Sequence, residues 1–97
     1  MYLRLVQFSL GAGSRSAAEA VADKVIPAIR ARPGCVRAEF FVDDDTGDHG
    51  FIVLWESREA AHQAHAVISP ILMSAVDAAG ARAAPNIRTF EVYEPKK

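Results

Sequence analysis

Three side chains between positions 55 and 65 could do chemistry together: Trp55, His62 and His65. They lie in the stretch His49-Gly-Phe-Ile-Val-Leu-Trp55-Glu-Ser-Arg-Glu-Ala-Ala-His-Gln-Ala-His65. An indole offers a flat, electron-rich wall for an aromatic substrate. An imidazole titrates near neutrality, so it suits a base that ionises a phenol and lets the anion reduce dioxygen directly. His62 and His65 are three residues apart and share one face of any helix that carries them. A metal would need a third ligand, and none is close in sequence, so no metal site is expected.

The elements around them must hold that geometry. Phe51 to Trp55 is a short apolar run, too brief for a helix and typical of a central strand. Ser57 is a natural N-cap, and Glu59 suits the positively polarised first turn of a following helix. Trp55 is thus expected at the end of a strand, with both histidines on the helix that follows. Ala61, Ala64, Val67 and Ile68 form that helix's packing stripe, and Ser69-Pro70 reads as the start of a further short helix facing inward with Ile71, Leu72, Ala75 and Val76.

Upstream, Tyr2 to Leu10 reads as a strand with apolar residues in both alternate sets, so both of its faces should be covered. Gln7 lies on the less apolar set and is a candidate hydrogen-bond donor to a ligand; Tyr2 and Arg4 lie on the other. Gly11-Ala-Gly13 breaks the strand, and Ser16 with Glu19 has the spacing of a capping box. Ala18, Val21, Ala22, Val25 and Ile29 give the next helix its buried stripe. Pro27 should kink it or begin a second segment near Ile26. Val36 to Val42 alternates like an edge strand, with Val36, Ala38, Phe40 and Val42 on one side. The four aspartates between positions 43 and 48 lack the bidentate Glu of a calcium loop and read as a solvated hairpin turn. Ile87 to Tyr93 is the last strand.

The order β-α-β-β-α-β is the ferredoxin-like split βαβ arrangement, an α+β fold with a four-stranded antiparallel sheet and strands one and three at its centre. Two helices cover only one face, yet the third strand has Phe51, Val53 and Trp55 on one side and Ile52 and Leu54 on the other. A second copy of the same sheet is the simplest cover, which predicts a homodimer through the sheet face. The 97 residues fit one domain, 1–97. A net charge of −1 argues against general nucleic-acid binding. No apolar run is long enough to span a membrane and no signal peptide opens the chain, so the expected location is cytoplasmic. The single cysteine, Cys35, reads as a small buried hydrophobe.

Pro33-Gly34-Cys-Val36, the passage Trp55-Glu-Ser-Arg-Glu-Ala60, Ser69-Pro70 and the closing Arg88-Thr-Phe-Glu-Val-Tyr-Glu94 together resemble the antibiotic biosynthesis monooxygenase family, of the dimeric α+β barrel superfamily. The resemblance covers nearly the whole chain. It implies a face-to-face dimer with a pocket in each subunit between sheet and helices, and oxygenation of a small aromatic or quinol-type compound without flavin, haem or metal. Trp55 matches the tryptophan that matters in the aromatic-polyketide oxygenases of this type. Their asparagine four residues earlier is Phe51 here, their tyrosine six residues later is Ala61, and their helical arginine has no counterpart between Arg58 and Arg82. The haem degraders' asparagine, tryptophan and histidine fall near Gln7, Ala64 and Ser74, which excludes haem degradation. Trp55, His62 and His65 are therefore the candidate catalytic residues, and Gln7, Phe51 and Met73 the candidate substrate-binding ones. A non-catalytic dimer that binds a small apolar ligand is the alternative. An RNA-recognition motif shares the strand and helix order but would need a stacking aromatic at Val53.

Overall fold

The computed structural model describes residues 1–96. Its elements are β1 (Tyr2–Ser9), α1 (Arg15–Arg30), β2 (Cys35–Phe41), β3 (Asp48–Trp55), α2 (Arg58–Ala78) and β4 (Asn86–Glu91). The sheet order is β2-β3-β1-β4 and every neighbouring pair is antiparallel, so β1 and β3 are central as the ferredoxin-like pattern requires.

The registers fix which residues share a face. Tyr2, Arg4, Val6 and Phe8 of β1 lie opposite Trp55, Val53, Phe51 and His49 of β3. These residues face the helices, where Val6, Phe51, Val53 and Trp55 join Val21, Val25 and Ile29 of α1 in the core. α2 contributes Ala61, Ala64, Ile68, Leu72 and Ala75, at steps of three and four, with Val76 beside the last of them. Alanine at positions 61 and 64 lets the first half of α2 approach the sheet closely, at the level of Trp55. The other sheet face carries Leu3, Leu5, Ile52 and Leu54, all half-buried, flanked by the more exposed Phe41 and Phe90.

Several local expectations are corrected. Both helices run unbroken through their prolines, so Pro27 starts no new segment and Ser69-Pro70 starts no new helix. Each proline is on a solvent-exposed position, and so are Asp23 and Ala66, whose carbonyls lose their intrahelical donor and can turn to water instead. The capping box at Ser16 does not form. α1 begins two residues earlier than that cap would place it, the Arg15 amide donates to Asp44 Oδ1 at 3.0 Å, and Glu19 pairs with the Arg15 side chain. In β2 a bulge between Cys35 and Arg37 turns Val36 outward to 46% exposure and gives Cys35 its place opposite Trp55. Val67 is likewise outside the packing stripe, on the exposed side of α2.

His49 is the buried polar residue of the core, at 0% exposure. Its Nδ1 accepts from the Asp43 amide at 3.2 Å, so the ring proton sits on Nε2 and donates to Ser14 Oγ at 2.8 Å. Ser14 in turn donates to the Gly11 carbonyl. The acidic hairpin is thereby clamped to the loop before α1. Its Asp43 carboxylate accepts from the amides of Asp45 and Thr46, the Asx-turn geometry of a tight turn.

Candidate functional site

A small cavity lies between the sheet and α2, at the end where β3 passes into the helix. Phe51, Val53 and Trp55 form its floor, Ala64 and Ile68 its roof, and Arg4 and His65 its polar rim. Its free volume is about 30 Å³, room for a water or two. Trp55 is only 2% exposed, and its Nε1–H is buried without an acceptor. Leaving such a donor unpaired costs about 1–3 kcal/mol, so it is a group that stands to gain from a bound acceptor.

Arg4 closes the rim. Its side chain comes off the helix-facing side of β1, and its Nε donates to Thr89 Oγ1 of β4 at 3.2 Å. Nη1 donates to the Ala61 carbonyl at 3.3 Å and makes a long contact of 3.4 Å with His65 Nδ1. The guanidinium thus bridges β1, β4 and α2. It forms no ion pair among the described residues, and burial pushes its pKa below the ordinary arginine value without discharging it. Outside Arg4 runs a shallow groove bounded by Tyr2, Arg58, His62, Thr89 and Glu91, in which Arg58 lies 5.6 Å from the centre of the Tyr2 ring.

The structure brings Trp55, Phe51 and His65 to one cavity. His62 stands on the same helix face but on the outer groove, across Arg4 from the cavity. Gln7 does not join them: it lies on the opposite sheet face, paired with Gly50, and borders an open groove of about 660 Å³ with Ser9, Asp48 and Asn86. Met73 is 42% exposed and borders a surface groove with Ser74, Asp77 and Pro85. Arg4 is the residue that sequence reasoning passed over. The signal was present, since an arginine within the set Tyr2, Arg4, Val6, Phe8 is a charge on the face that must meet the helices.

His49 and Ser14 have the contact of a serine-histidine pair but not its chemistry. A base must present a lone pair to the hydroxyl, whereas Nε2 here carries the proton and the Nδ1 lone pair is taken by a backbone amide. No cluster of three or more His, Cys, Asp or Glu side chains suited to a metal occurs among the described residues.

With that geometry in hand, comparison with known proteins defines the class. The family model for antibiotic biosynthesis monooxygenase matches residues 1–67, more than half of the chain. The chain belongs to that family. Among solved structures, a candidate antibiotic biosynthesis monooxygenase from Deinococcus radiodurans is similar over 100% of this chain and 97% of its own, with 20% identity and a TM-score of 0.79. The ActVA-Orf6 monooxygenase of Streptomyces coelicolor, in complex with nanaomycin D, covers 99% of this chain and 90% of its own, at 18% identity and a TM-score of 0.77. SnoaB, a cofactor-independent oxygenase from Streptomyces nogalater, covers 97% and 95%, at 19% identity and a TM-score of 0.72. At such identities the likeness establishes the fold. No curated protein matches the sequence.

Proposed function

We propose that this chain is a cofactor-independent monooxygenase acting on a small aromatic or quinol-type compound held between sheet and helices. The observation that carries the proposal is the buried Trp55 indole, its N–H unpartnered, on the wall of a cavity rimmed by Arg4 and His65. Family membership and the printed activities of the Streptomyces neighbours support it. The substrate supplies the electrons: a quinolate reduces dioxygen, a ring-carbon hydroperoxide forms, and loss of water leaves a hydroxyquinone. The protein's part is to ionise the quinol, press it against Trp55 and Phe51 and keep bulk water out. His65 is the nearer base. Its Nδ1 faces Arg4, so Arg4 must turn away before that lone pair can take a proton. His62 serves the outer groove, and Gln7 and Met73 are assigned to the mouths of the neighbouring surface grooves.

The cavity must widen to admit a ring, and α2 has the means to yield. Pro70 removes one rung of its hydrogen-bond ladder just beyond Ile68 and Ser69, which line the cavity. An oxygen electrode with naphthohydroquinone and a panel of phenols tests the proposal. Substrate-dependent uptake that falls in His65→Ala is expected; wild-type rates in both the His62→Ala and His65→Ala variants would remove the base from the scheme.

The working unit is taken to be a cytoplasmic homodimer of the 1–97 domain, its two sheets face to face. Leu3, Leu5, Ile52 and Leu54 support this, as an apolar stripe with no helix over it. The same residues argue against RNA, since the central strands present aliphatic side chains where stacking would need rings. No helix among the described residues is long and apolar enough to cross a membrane. A non-catalytic ligand-binding dimer is the second reading. It is favoured by Phe51 and Ala61 at positions where the aromatic-polyketide oxygenases it resembles have asparagine and tyrosine.

A further inference from the structure

The rim of the cavity is unusual in its charge. Arg4 is half-buried and has no carboxylate partner among the described residues, and its Nη2 makes no hydrogen bond among them. A guanidinium taken out of water normally recovers its solvation in an ion pair or a forked contact with an anion. Here it has two neutral oxygens at 3.2 and 3.3 Å and one histidine nitrogen at 3.4 Å, all at the long end of hydrogen bonding. Arg58 and His62 border the outer groove with it, against the single carboxylate of Glu91, and His65 stands on the cavity side. Trp55, which lines the same cavity, adds a buried Nε1–H with nothing to donate to. A half-buried guanidinium with no carboxylate partner and a buried, unpaired indole N–H, on two residues that line the same apolar cavity, describe a receptor for a negatively charged oxygen attached to a flat hydrophobic body.

We infer that Arg4 is the anchor of an anionic aromatic ligand: a carboxylate, or an oxyanion equivalent to one, on Arg4, with the ring lying in the cavity between Trp55, Phe51 and α2. This rests on the proposed function and narrows it, from small aromatic compounds in general to those bearing an acid group. It also gives Arg4 a positioning role. When the guanidinium turns from His65 onto the incoming anion, the His65 Nδ1 lone pair is released at the moment the ring arrives. The side chain that shuts the empty cavity is the one the ligand recruits.

The chain has a single tryptophan, so its indole N–H gives one resonance in the isotope-labelled protein, located at the cavity. Titrating with 2-naphthoate and, separately, with its neutral isostere 2-naphthamide reads both affinities from that signal. The naphthoate should bind at least about tenfold more tightly, the scale of a charge-assisted hydrogen bond. In Arg4→Met the ratio should fall to within about twofold, and in His65→Ala it should persist, because the charge that selects the acid is on Arg4. Equal binding of acid and amide by the wild-type protein would overturn the inference while leaving an aromatic site in place. An unchanged preference in Arg4→Met would overturn it as well. If neither compound moves the indole signal, the proposed function fails and the inference fails with it. The wild-type comparison of acid with amide needs no variant, so a poorly folding Arg4→Met would not shelter the claim.

Discussion

Replacing Trp55 by phenylalanine separates two costs that the structure sets against each other. The indole is 2% exposed, so the exchange leaves a void about the size of the lost ring atoms and forfeits their transfer energy. At about 25 cal/mol per Å² over roughly 40–50 Å², that is about 1 kcal/mol, with a cavity penalty of up to similar size. Against this, the variant no longer buries an unpaired N–H, which returns about 1–3 kcal/mol. The two nearly cancel, and the ligand-free variant should have a stability within about 1 kcal/mol of the wild type, or about 4–8 °C in Tm for a domain of this size. Urea unfolding followed by far-ultraviolet circular dichroism measures it without relying on the lost fluorophore. Ligand-induced stabilisation by 2-naphthoate should shrink in the same variant, because the donor it would use has gone. A loss of 3 kcal/mol or more in the ligand-free protein, at about the cost of truncating a fully satisfied core aromatic, would show that the indole N–H is committed to structure and is not free for a ligand.

The remaining expectations bear on the scaffold. His49→Leu removes two hydrogen bonds and orphans the Asp43 amide, so it should cost about 2–4 kcal/mol in urea unfolding while leaving 2-naphthoate affinity intact, because the clamp lies among the hairpin and α1-entry residues and none of its members lines the cavity. Ile52→Lys places a charge in the middle of the uncovered sheet face. Sedimentation should find the 10.5 kDa chain as a dimer in the wild type and as a monomer in the variant; identical masses would count against pairing through the sheet. Burial, partly offset by the Arg37 backbone and the Arg30 charge, raises the pKa of the Cys35 thiol. Its thiolate fraction near neutrality is therefore below that of a free cysteine, and alkylation by iodoacetamide should be slow at pH 7 and accelerate only as the pH climbs past the ordinary thiol range.

Much of the fold was legible because its signals are local and agree with one another. The run Phe51–Trp55, the cap at Ser57 and the alanines at 61 and 64 each specify the strand-to-helix passage, and all three appear as expected. Ser57 Oγ accepts the Ala60 amide at 3.1 Å, a local bond between residues three apart. The misreadings share another cause: a distant partner overrides the local preference. Ser14 lends its hydroxyl to His49, thirty-five residues away, and Asp44 supplies the cap that Ser16 was expected to give. Pro27 reads as a break or kink in sequence and Pro70 as the start of a new helix, but packing on the opposite helix face carries both helices unbroken through them. The site was half legible. Trp55 and His65 follow from position along one strand and one helix, whereas Arg4 meets them only because β1 lies beside β3, a fact of topology that no short window of sequence contains. The polarity of Gln7 suits a ligand donor and equally an uncovered strand face, and the register puts it on that face, away from the cavity.

If the cavity beside Trp55 is where an electron-rich ring meets dioxygen, the purified protein should turn naphthohydroquinone over under isotopically labelled dioxygen, with uncatalysed autoxidation subtracted. The product should be a hydroxynaphthoquinone carrying one labelled oxygen atom, the other leaving as water, and its rate of formation should collapse in Trp55→Ala. Product that forms no faster than in protein-free buffer, or that carries oxygen from solvent alone, would rule the cavity out as the site of oxygenation.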